Sequence, residues 1–500
     1  MSYQAVKDAQ AGITTDYKCD APHQPLTIHP WGGGTYMSIS YEDAKRILSK
    51  HHQSHVLRFW DHLNENQKVD LLAQIETLDL DTVVLMQKLL AEKDKTRETT
   101  KSDIEPAEVI KQSELEKGEA RRIGEEILRA GEVGVLLVAG GQGTRLGFGG
   151  PKGCFPLAPI TNASLFAIHS RKILGMEQKY HTEIPFYIMT SQANDKVTRD
   201  FFDQHDCFGL SRDRLMFFTQ GMWPSLRKDG KIILDSPCHI FMSPDGHGGV
   251  LSALRLSGML EDMEKRGLKT VFYFQVDNPL VEIADPAFVG LHREHDAEMS
   301  VKVCVKQGPE EGIGVVVKRD GRNAIVEYTE LTDEQKHEIL PDGRLKFRFG
   351  SVAIHIFSLD FLRKEAGGGL PLHIAHKKVP YCDESGATIE PEEPNAYKFE
   401  RFIFDVLPDA ERALNVEFSR EHEFSPVKNA SGPDSPETAR RDMMLKYAGW
   451  LEQSGVEAPR NEAGEPLHKI EIDPCFALGP DDLREKVDSN FKISGDVLLA

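Results

Sequence analysis

The stretch Val133-Gly-Val-Leu-Leu-Val-Ala139 runs directly into Gly140-Gly-Gln-Gly-Thr-Arg-Leu-Gly147 and then Phe148-Gly-Gly-Pro-Lys152. The first seven residues lack any polar side chain, which predicts a strand buried on both faces. Glycines in the following turn allow positive φ angles and let backbone N–H groups approach a ligand closely. Arg145 and Lys152 add fixed positive charge. The combination predicts a polyphosphate-binding loop at the end of a core strand.

This loop matches neither of the two common phosphate-binding motifs. It is not a Walker A loop, because no Gly-Lys-Ser/Thr follows at the required spacing. It is not the dinucleotide fingerprint, because Gly147 comes one residue too late after Gly141 and Gly143. A plain hairpin or surface turn is the alternative. Turn glycines alone, however, do not account for an arginine and a Pro-Lys pair in one loop.

Length and composition narrow the class of protein. The chain has 500 residues, which predicts two or three domains. Its net charge of −19, from 60 basic and 79 acidic residues, argues against a nucleic-acid partner. No apolar run approaches the roughly 20 residues that a membrane span needs, and no signal-peptide layout is visible. Seven cysteines without Cys-x-x-Cys spacing predict reduced thiols and a cytoplasmic location.

The first 117 residues carry no visible chemistry. Residues 1–40 show no sustained periodicity and predict an irregular arm, and residues 41–117 predict a helical N-terminal region. In that region Val56, Phe59, Trp60 and Leu63 have the spacing of one helix face. Asn64 and Gln67 then form a predicted capping box for the next helix.

From residue 118 the pattern changes to alternating strands and helices, which predicts a mostly parallel α/β sheet. Residues 299–358 are β-rich and include a predicted hairpin turn at Arg319-Asp-Gly-Arg322, so antiparallel strands should extend the sheet. We assign residues 118–430 to a catalytic domain and residues 431–500 to a small C-terminal domain. The predicted elements at the start of the sheet are helices Ser164–Met176, Asp195–His205 and Gly249–Lys265, and strands Phe186–Thr190, Leu215–Phe218 and Thr270–Val276.

Two further features belong to the predicted site, because ligands of such sheets bind at the carboxyl ends of the strands. Asp277 follows a buried strand and could hold Mg²⁺ against triphosphate oxygens. An Asx turn before Pro279 is an equally good interpretation of that residue alone, and the glycine loop favours the metal. Gln220 offers an amide that can read the edge of a base, although a plain surface residue is the simpler interpretation.

Seven further blocks resemble one family and follow in that family's order. With the glycine loop, they resemble the eukaryotic-type UDP-sugar pyrophosphorylases, and the likeness covers about residues 41–445. The blocks are Phe218-Thr-Gln-Gly221, Ser243-Pro-Asp-Gly246, Val276-Asp-Asn278, Val326-Glu-Tyr-Thr-Glu330, Lys377-Lys-Val-Pro-Tyr381, Lys398-Phe-Glu-Arg-Phe-Ile-Phe-Asp405 and Glu423-Phe-Ser-Pro-Val-Lys-Asn-Ala430.

The resemblance implies a Rossmann-like (GT-A-like) nucleotidyltransferase domain with a mixed sheet, a helical N-terminal region and a small C-terminal domain. It implies reversible conversion of UTP and a sugar 1-phosphate to UDP-sugar and pyrophosphate, with Mg²⁺ on Asp277. Arg145, Lys152 and Lys428 are the implied catalytic residues. The implied nucleotide-binding residues are Val138, Ala139, Gly140, Gly141, Lys152, Gln220, Gly246, Asp277 and Lys398. The implied sugar-binding residues are His247, Glu327, Tyr328, Ser351 and Lys428.

The same residues fit the chemistry of such a reaction. A sugar phosphate oxygen attacks the α-phosphorus of UTP in line, so the protein must hold two polyanions and neutralise charge. Arg145, Lys152 and Mg²⁺ suit the triphosphate, and Lys428 suits the attacking phosphate. We expect UTP and a sugar 1-phosphate as partners, no nucleic acid or membrane, and a monomer or weak homo-oligomer.

Three hypotheses for the function remain open, and they differ in the sugar 1-phosphate used and in whether there is turnover. The first uses N-acetylglucosamine 1-phosphate. The second is the same reaction on glucose, galactose or several hexose 1-phosphates, because His247 replaces the asparagine usual in the N-acetylglucosamine enzymes. Ser351 and Ile354 likewise stand where that branch has asparagines. The third is a nucleotide-sugar-binding protein without turnover, which the intact Arg145 and Lys428 argue against.

Overall fold

The computed structural model describes residues 39–96, 104–115, 118–488 and 490–500. The predicted irregular arm, residues 1–40, lies outside the described residues except for its last two positions. Within the described ranges, no helix combines the length and the apolar character needed to cross a lipid bilayer.

Helices and strands alternate through most of the described chain. The helices are α1 Tyr41–Lys50, α2 Glu65–Glu76, α3 Leu80–Thr96, α4 Gln112–Leu115, α5 Glu119–Arg129, α6 Leu165–Tyr180, α7 Asp195–Gln204, α8 Val250–Leu256, α9 Met259–Lys265, α10 Pro286–Glu294, α11 Asp333–His337, α12 Leu359–Ala366, α13 Arg420–Glu423, α14 Pro436–Gln453 and α15 Pro480–Lys486. The strands are β1 Ile104–Pro106, β2 Val133–Val138, β3 Phe186–Thr190, β4 Leu215–Thr219, β5 Met222–Pro224, β6 Leu234–Ser236, β7 His239–Ile240, β8 Met242–Pro244, β9 Thr270–Gln275, β10 Met299–Val305, β11 Val315–Arg319, β12 Arg322–Val326, β13 Phe349–Ser358, β14 His373–Lys377, β15 Tyr381–Cys382, β16 Thr388–Ile389, β17 Ala396–Glu400, β18 Ala413–Glu417, β19 Ile470–Ile472 and β20 Val497–Leu499.

Ten of these strands form one mixed sheet, which confirms the predicted α/β class. The main path runs β1-β11-β13-β9-β2-β3-β4, with β12 on β11, and with β10 joining β13 to β18. The four strands β9, β2, β3 and β4 are mutually parallel. Strand β13 turns antiparallel beside β9, so the sheet changes direction at that junction.

Both faces of the parallel strands are covered. On β9, Phe272 and Phe274 join the core on one face, whereas Val271 and Tyr273 join the core on the other. This alternation explains why the strands read as continuous apolar runs in the sequence. The predicted hairpin is confirmed: Arg319 pairs with Arg322, and both Asp320 and Gly321 have positive φ, as a two-residue hairpin turn requires.

The N-terminal helices pack against β5 and β17, which lie outside the ten-stranded sheet. Leu48, Leu71 and Met86 share one buried cluster with Trp223 and Phe399. The predicted capping box at Asn64 and Gln67 is confirmed, with both reciprocal hydrogen bonds formed. These helices therefore brace segments that carry other parts of the site.

Two local predictions were wrong. Residues 56–63 do not form one helix; the chain makes two 3₁₀ turns, Ser54–Leu57 and Trp60–His62. The predicted helix Gly249–Lys265 is instead two helices, α8 and α9. Gly258 separates them with a φ of +75°, which a continuing helix cannot accommodate.

Residues 436–488 pack on the sheet around α14. Met443 and Leu451 of α14, together with Ile470 and Leu483, belong to the same buried cluster as Phe274 of β9. The boundaries of the three proposed domains stay predictions.

Candidate active site

The candidate site lies where the four parallel strands end. Because parallel strands run in one direction, their carboxyl ends meet at one edge of the sheet. Beyond β2 comes the glycine loop, beyond β3 comes Asn194, beyond β4 comes Gln220, and beyond β9 comes Asp277. The fold therefore gathers residues that are up to 138 positions apart in the sequence, from Ala139 to Asp277.

The glycine loop is closed by its own backbone. Gly143 N–H donates to the Gly150 carbonyl at 2.8 Å, and Lys152 N–H donates to the Gly141 carbonyl at 3.0 Å. Gly147 has a φ of +69°, which favours glycine. Arg145 lies in the short 3₁₀ turn Thr144–Leu146 and is exposed. The loop thus carries Lys152 back toward the strand end and leaves Arg145 facing solvent.

Gln220 lies against the start of this loop. A side chain at position 140 would place its Cβ 2.9 Å from Gln220 Oε1, so it would displace the Gln220 amide from its position. Gln220 is buried, and its backbone N–H donates to the Thr190 carbonyl. Val138, Ala139 and Gly141 adjoin Gly140 in the chain. The loop residues predicted to bind UTP therefore lie beside Gln220, the residue predicted to recognise the base.

Lys152 and Asp277 form the centre of the triphosphate side. Lys152 Nζ lies 3.7 Å from Asp277 Oδ2, and both side chains are mostly buried. At this distance the carboxylate can bind a divalent ion while the ammonium group binds phosphate oxygens. The structure therefore brings together two residues that the sequence predicted for UTP.

A cavity of about 150 Å³ opens beside Asp277. Five of the predicted site residues line it: His247, Asp277, Glu327, Ser351 and Lys428.

One wall of the cavity is made by an irregularity in β13. Between the pairs Val301–His355 and Val303–Ser351 the register shifts, and Ala353 adopts a φ of +58°. Such a bulge re-aims side chains next to a site. It turns Ser351 toward the cavity, whereas Ile354 is buried in the core on the other face of the sheet.

His247 is held as a neutral donor. Burial, with a smaller contribution from the charge of His373, lowers the pKa of His247 to about 4. Its Nδ1 accepts the Ile403 N–H at 3.1 Å, which leaves the proton on Nε2. Its ring stacks on Phe402 at 5.2 Å. His247 can therefore donate one hydrogen bond to a ligand oxygen at neutral pH.

Glu327 supplies the acidic wall of the cavity. Burial, reinforced by the charge of Glu330, raises the pKa of Glu327. His373 stacks on the other side of the Phe402 ring at 4.2 Å and bonds Asp405 at 2.8 Å. Carboxylates and imidazoles around one aromatic ring are suited to hydroxyl groups on a sugar.

Lys428 ends an irregular segment that follows α13. Its side chain lines the cavity and is 40% exposed, and its Nζ lies 4.0 Å from Asp434 Oδ2. The other ten predicted residues do not line this cavity, and Lys152, Gln220 and the glycine-loop residues are among them. Tyr328 is exposed, Gly246 packs against Arg401 with a φ of +85°, and Lys398 Nζ lies over the Phe241 ring.

Sequence reasoning missed three amide residues. Gln275 lines the cavity at the end of β9. Asn194 is buried and donates to the Ala139 carbonyl at 3.0 Å, so it supports the glycine loop from below. Asn278 bonds the segment that leads to Lys428. All three lie at or just beyond a strand end, and that position was the signal that could have found them.

A second carboxylate cluster lies near the site, at Glu282, Asp285 and Glu423. Lys302 bonds Asp285 at 3.1 Å and Glu423 at 2.6 Å, and Lys446 bonds Glu282 at 3.0 Å. Two buried lysines thus occupy the positions that a cation would take. We interpret this cluster as an ion-pair network.

Comparisons with known proteins agree with this geometry. A sequence model of the family described as UTP–glucose-1-phosphate uridylyltransferase matches residues 83–451. The UDP-N-acetylglucosamine pyrophosphorylase of Saccharomyces cerevisiae is 33% identical over 439 residues, covering 83% of this chain and 92% of that protein. The UDP-N-acetylglucosamine diphosphorylase 1 of Arabidopsis thaliana is 36% identical over 432 residues, covering 82% and 83%.

A solved structure supports the same relationship. The uridine diphosphate N-acetylglucosamine pyrophosphorylase of Trypanosoma brucei, solved with an inhibitor, superposes with a TM-score of 0.76 at 27% identity. The match covers 90% of this chain and 95% of that chain. The predicted resemblance and the nucleotidyltransferase fold are thereby confirmed. The chain belongs to the UTP–glucose-1-phosphate uridylyltransferase family, whose members are nucleotidyltransferases.

Proposed function

We propose that the protein transfers the uridylyl group of UTP to N-acetylglucosamine 1-phosphate, reversibly, and releases pyrophosphate. One observation carries the proposal: Asp277, which lies 3.7 Å from Lys152, and Lys428 line a single cavity that Glu327 and His247 also line. A lysine in the cavity and a second lysine beside one of its carboxylates suit two phosphorylated substrates that must meet. The yeast UDP-N-acetylglucosamine pyrophosphorylase and the Arabidopsis UDP-N-acetylglucosamine diphosphorylase 1, to which the chain is similar, support the choice of sugar.

In this proposal the protein supplies charge and position, not a nucleophile. Lys152 and Arg145 neutralise the triphosphate, and Lys428 binds the attacking sugar phosphate. Gln220 reads the uracil edge beside Gly140 and Gly141, and Val138, Ala139, Gly246 and Lys398 complete the nucleotide side. Glu327, Tyr328 and Ser351 contact the sugar, with His247 as a hydrogen-bond donor.

We propose Asp277 as the residue that holds Mg²⁺. Its carboxylate lies in the cavity beside Lys152, and oxygen donors are the ligands that Mg²⁺ prefers. One protein carboxylate is enough, because phosphate oxygens and water usually complete the octahedron. When bound, the ion would withdraw charge from the α- and β-phosphates as pyrophosphate departs.

One observation favours a second candidate, the same reaction on glucose 1-phosphate or several hexose 1-phosphates. Ile354 is buried on the other face of the sheet, so at that position no amide is available to an N-acetyl group. Besides the neutral His247, Ser351 and Gln275 are the uncharged polar side chains that line the cavity. N-acetylglucosamine and glucose differ only at the sugar 2-position, so these two sugars are distinguished by what the cavity accepts there.

The deciding experiment measures pyrophosphate release. The protein is incubated with UTP and a panel of sugar 1-phosphates, once with Mg²⁺ and once with EDTA. We expect release with N-acetylglucosamine 1-phosphate in Mg²⁺ and none in EDTA. Release with glucose 1-phosphate but not with the N-acetyl sugar would establish the second candidate. No release with any sugar would leave nucleotide-sugar binding without turnover.

We also propose a cytoplasmic location, because six cysteines among the described residues are free thiols. The expectation of a monomer or weak homo-oligomer stays a prediction.

A further inference from the structure

Asn278 is buried next to Asp277, and both the nitrogen and the oxygen of its side-chain amide form hydrogen bonds. Nδ2–H donates to the Glu423 carbonyl at 2.6 Å. Oδ1 accepts the Ser425 N–H at 3.1 Å and the Leu280 N–H at 3.3 Å. The side chain is 4% exposed and does not line the cavity. A buried amide with this many partners fixes the backbone segments that it joins.

The segment held by Asn278 leads to Lys428. Helix α13 ends at Glu423, and residues 424–428 form no regular helix or strand. Their path is therefore set by bonds to neighbouring elements, not by a helix or ladder of their own. Val427 N–H donates to the Asp277 carbonyl at 2.8 Å. Asp277 and Asn278 together thus make three hydrogen bonds to the chain just before Lys428.

Other elements hold the outer side of the same segment. Lys302 bonds the Glu423 carboxylate at 2.6 Å and is 1% exposed. Ser425 Oγ donates to Asp442 of α14 at 2.7 Å, and Lys446 of α14 donates to the His422 carbonyl at 2.6 Å. The segment is anchored on that side independently of Asn278, so removing the Asn278 amide should shift it without unfolding it.

We propose that Asn278 is a positioning residue that fixes Lys428 relative to Asp277, and so sets the separation of the two bound substrates. This rests on the proposed function, in which Asp277 serves the triphosphate and Lys428 the sugar phosphate. A displacement of about 1 Å between reacting groups can cost about 100-fold in rate. The residue therefore acts on the step that joins the substrates, and not on UTP binding alone.

The test compares Asn278→Ala and Asn278→Asp with wild type and with Asn415→Ala. Asn415 is a matched control: it is also a buried asparagine, and its Nδ2 donates to the Glu108 carbonyl at 3.0 Å, away from the cavity. Three quantities are measured for each protein: kcat and KM for the sugar 1-phosphate, the Kd for Mg²⁺–UTP without sugar phosphate, and the unfolding midpoint in urea.

For Asn278→Ala we expect kcat to fall about 100-fold and the sugar 1-phosphate KM to rise, with the Kd for UTP within about threefold of wild type. Asn278→Asp keeps the acceptor for Ser425 but sets a carboxylate oxygen against the Glu423 carbonyl, so its kcat should fall at least as far as that of Asn278→Ala. Asn415→Ala should lower the urea midpoint and leave kcat unchanged.

Two outcomes would overturn the inference while wild type is active. One is an equal loss of kcat in Asn415→Ala at an equal loss of stability. The other is a parallel weakening of UTP binding in Asn278→Ala. A wild-type protein that releases no pyrophosphate with any sugar 1-phosphate would overturn the proposed function, and this inference with it.

Discussion

Lys152 owes its position to the backbone as much as to its charge. Its N–H bonds the Gly141 carbonyl, and its Nζ lies 3.7 Å from Asp277 Oδ2 at the end of a different strand. The side chain is only 18% exposed. A cation held in this way needs little reorganisation when negative charge develops on a bound phosphate.

Replacing Lys152 by alanine should therefore cut turnover by about 100-fold or more, while the fold persists. Pyrophosphate release gives the rate, and the urea unfolding midpoint reports the fold. Lys318→Ala is the control, because Lys318 lies on β11 away from the cavity and forms an ion pair with Glu108. Near-normal turnover in Lys152→Ala would show that the loop lysine has been given the wrong role.

The sequence predicted the charged residues that lie at the cavity and the Gln220 amide, but not the amides of Asn194 and Asn278. Lys152 and Asp277 stand out because a charge beside a glycine turn or a strand end needs an explanation, whereas Lys428 was predicted from the family resemblance. Asn194 and Asn278 act through carbonyl groups far away in the chain. No local pattern specifies such partners, since they depend on which loops the sheet brings together.

At the scale of elements, the tightest contact is the crossing of α5 and α10. Gly124 and Gly290 face each other there, and a Cβ on Gly124 would overlap the Pro286 carbonyl. A glycine inside a helix costs roughly 0.5–1 kcal/mol relative to alanine. Gly124 nevertheless suits this position, because the two helices cross too closely for any side chain to fit.

Gly124→Ala should therefore destabilise the protein, although alanine is the better helix former. Separating two packed helices is a form of overpacking and costs roughly 1–3 kcal/mol. Gly449→Ala in α14 is the matched control, because nothing lies within 4 Å of its added Cβ. The control should be neutral or stabilising. Urea unfolding of both variants measures the difference, and equal midpoints would contradict the packing argument.

A helix or strand could be predicted where a single pattern of apolar residues ran through its sequence. Strand β3 has the bounds that the sequence predicted, because its apolar run ends at polar or turn residues. The 3₁₀ turns at residues 54–62 imitate a helical spacing over too few residues to distinguish the two. The bulge in β13 is invisible in sequence, since Ala353 gives no sign of its positive φ.

At the scale of the whole molecule, buried histidines make the fold sensitive to acid. His169, His292 and His355 are at most 1% exposed. Burial lowers the pKa of each to about 3. The folded state therefore binds fewer protons than the unfolded state, where the pKa is near 6.5. Stability from these groups is complete above pH 6.5 and is lost as the pH falls toward 3.

His355 gives the clearest test, because neither ring nitrogen has a hydrogen-bond partner in the described structure. Because of His355, the free energy of unfolding of the wild type should fall by about 2 kcal/mol between pH 7 and pH 5. His355→Phe keeps the ring stack on Tyr273 and removes the titration. The variant should lose less stability over this range than wild type.

Urea unfolding at the two pH values measures this difference, and His62→Phe serves as a control because His62 is exposed. The pH dependence of each variant is compared with that of the wild type, because Asp245 acts in the opposite direction to the histidines. Burial raises the pKa of Asp245 to about 7, so its contribution to the free energy of unfolding increases as the pH falls. Identical pH profiles for wild type and His355→Phe would refute the assignment.

The bond from Asn278 to Glu423 spans 145 positions, and the segment it fixes is also tied to α14 near the end of the chain. Contacts of such long range form late in folding. During synthesis the glycine loop and Asp277 leave the ribosome well before the segment that carries Lys428. A nascent chain should therefore complete its nucleotide side first. It becomes able to join the two substrates only after α14 has emerged and docked.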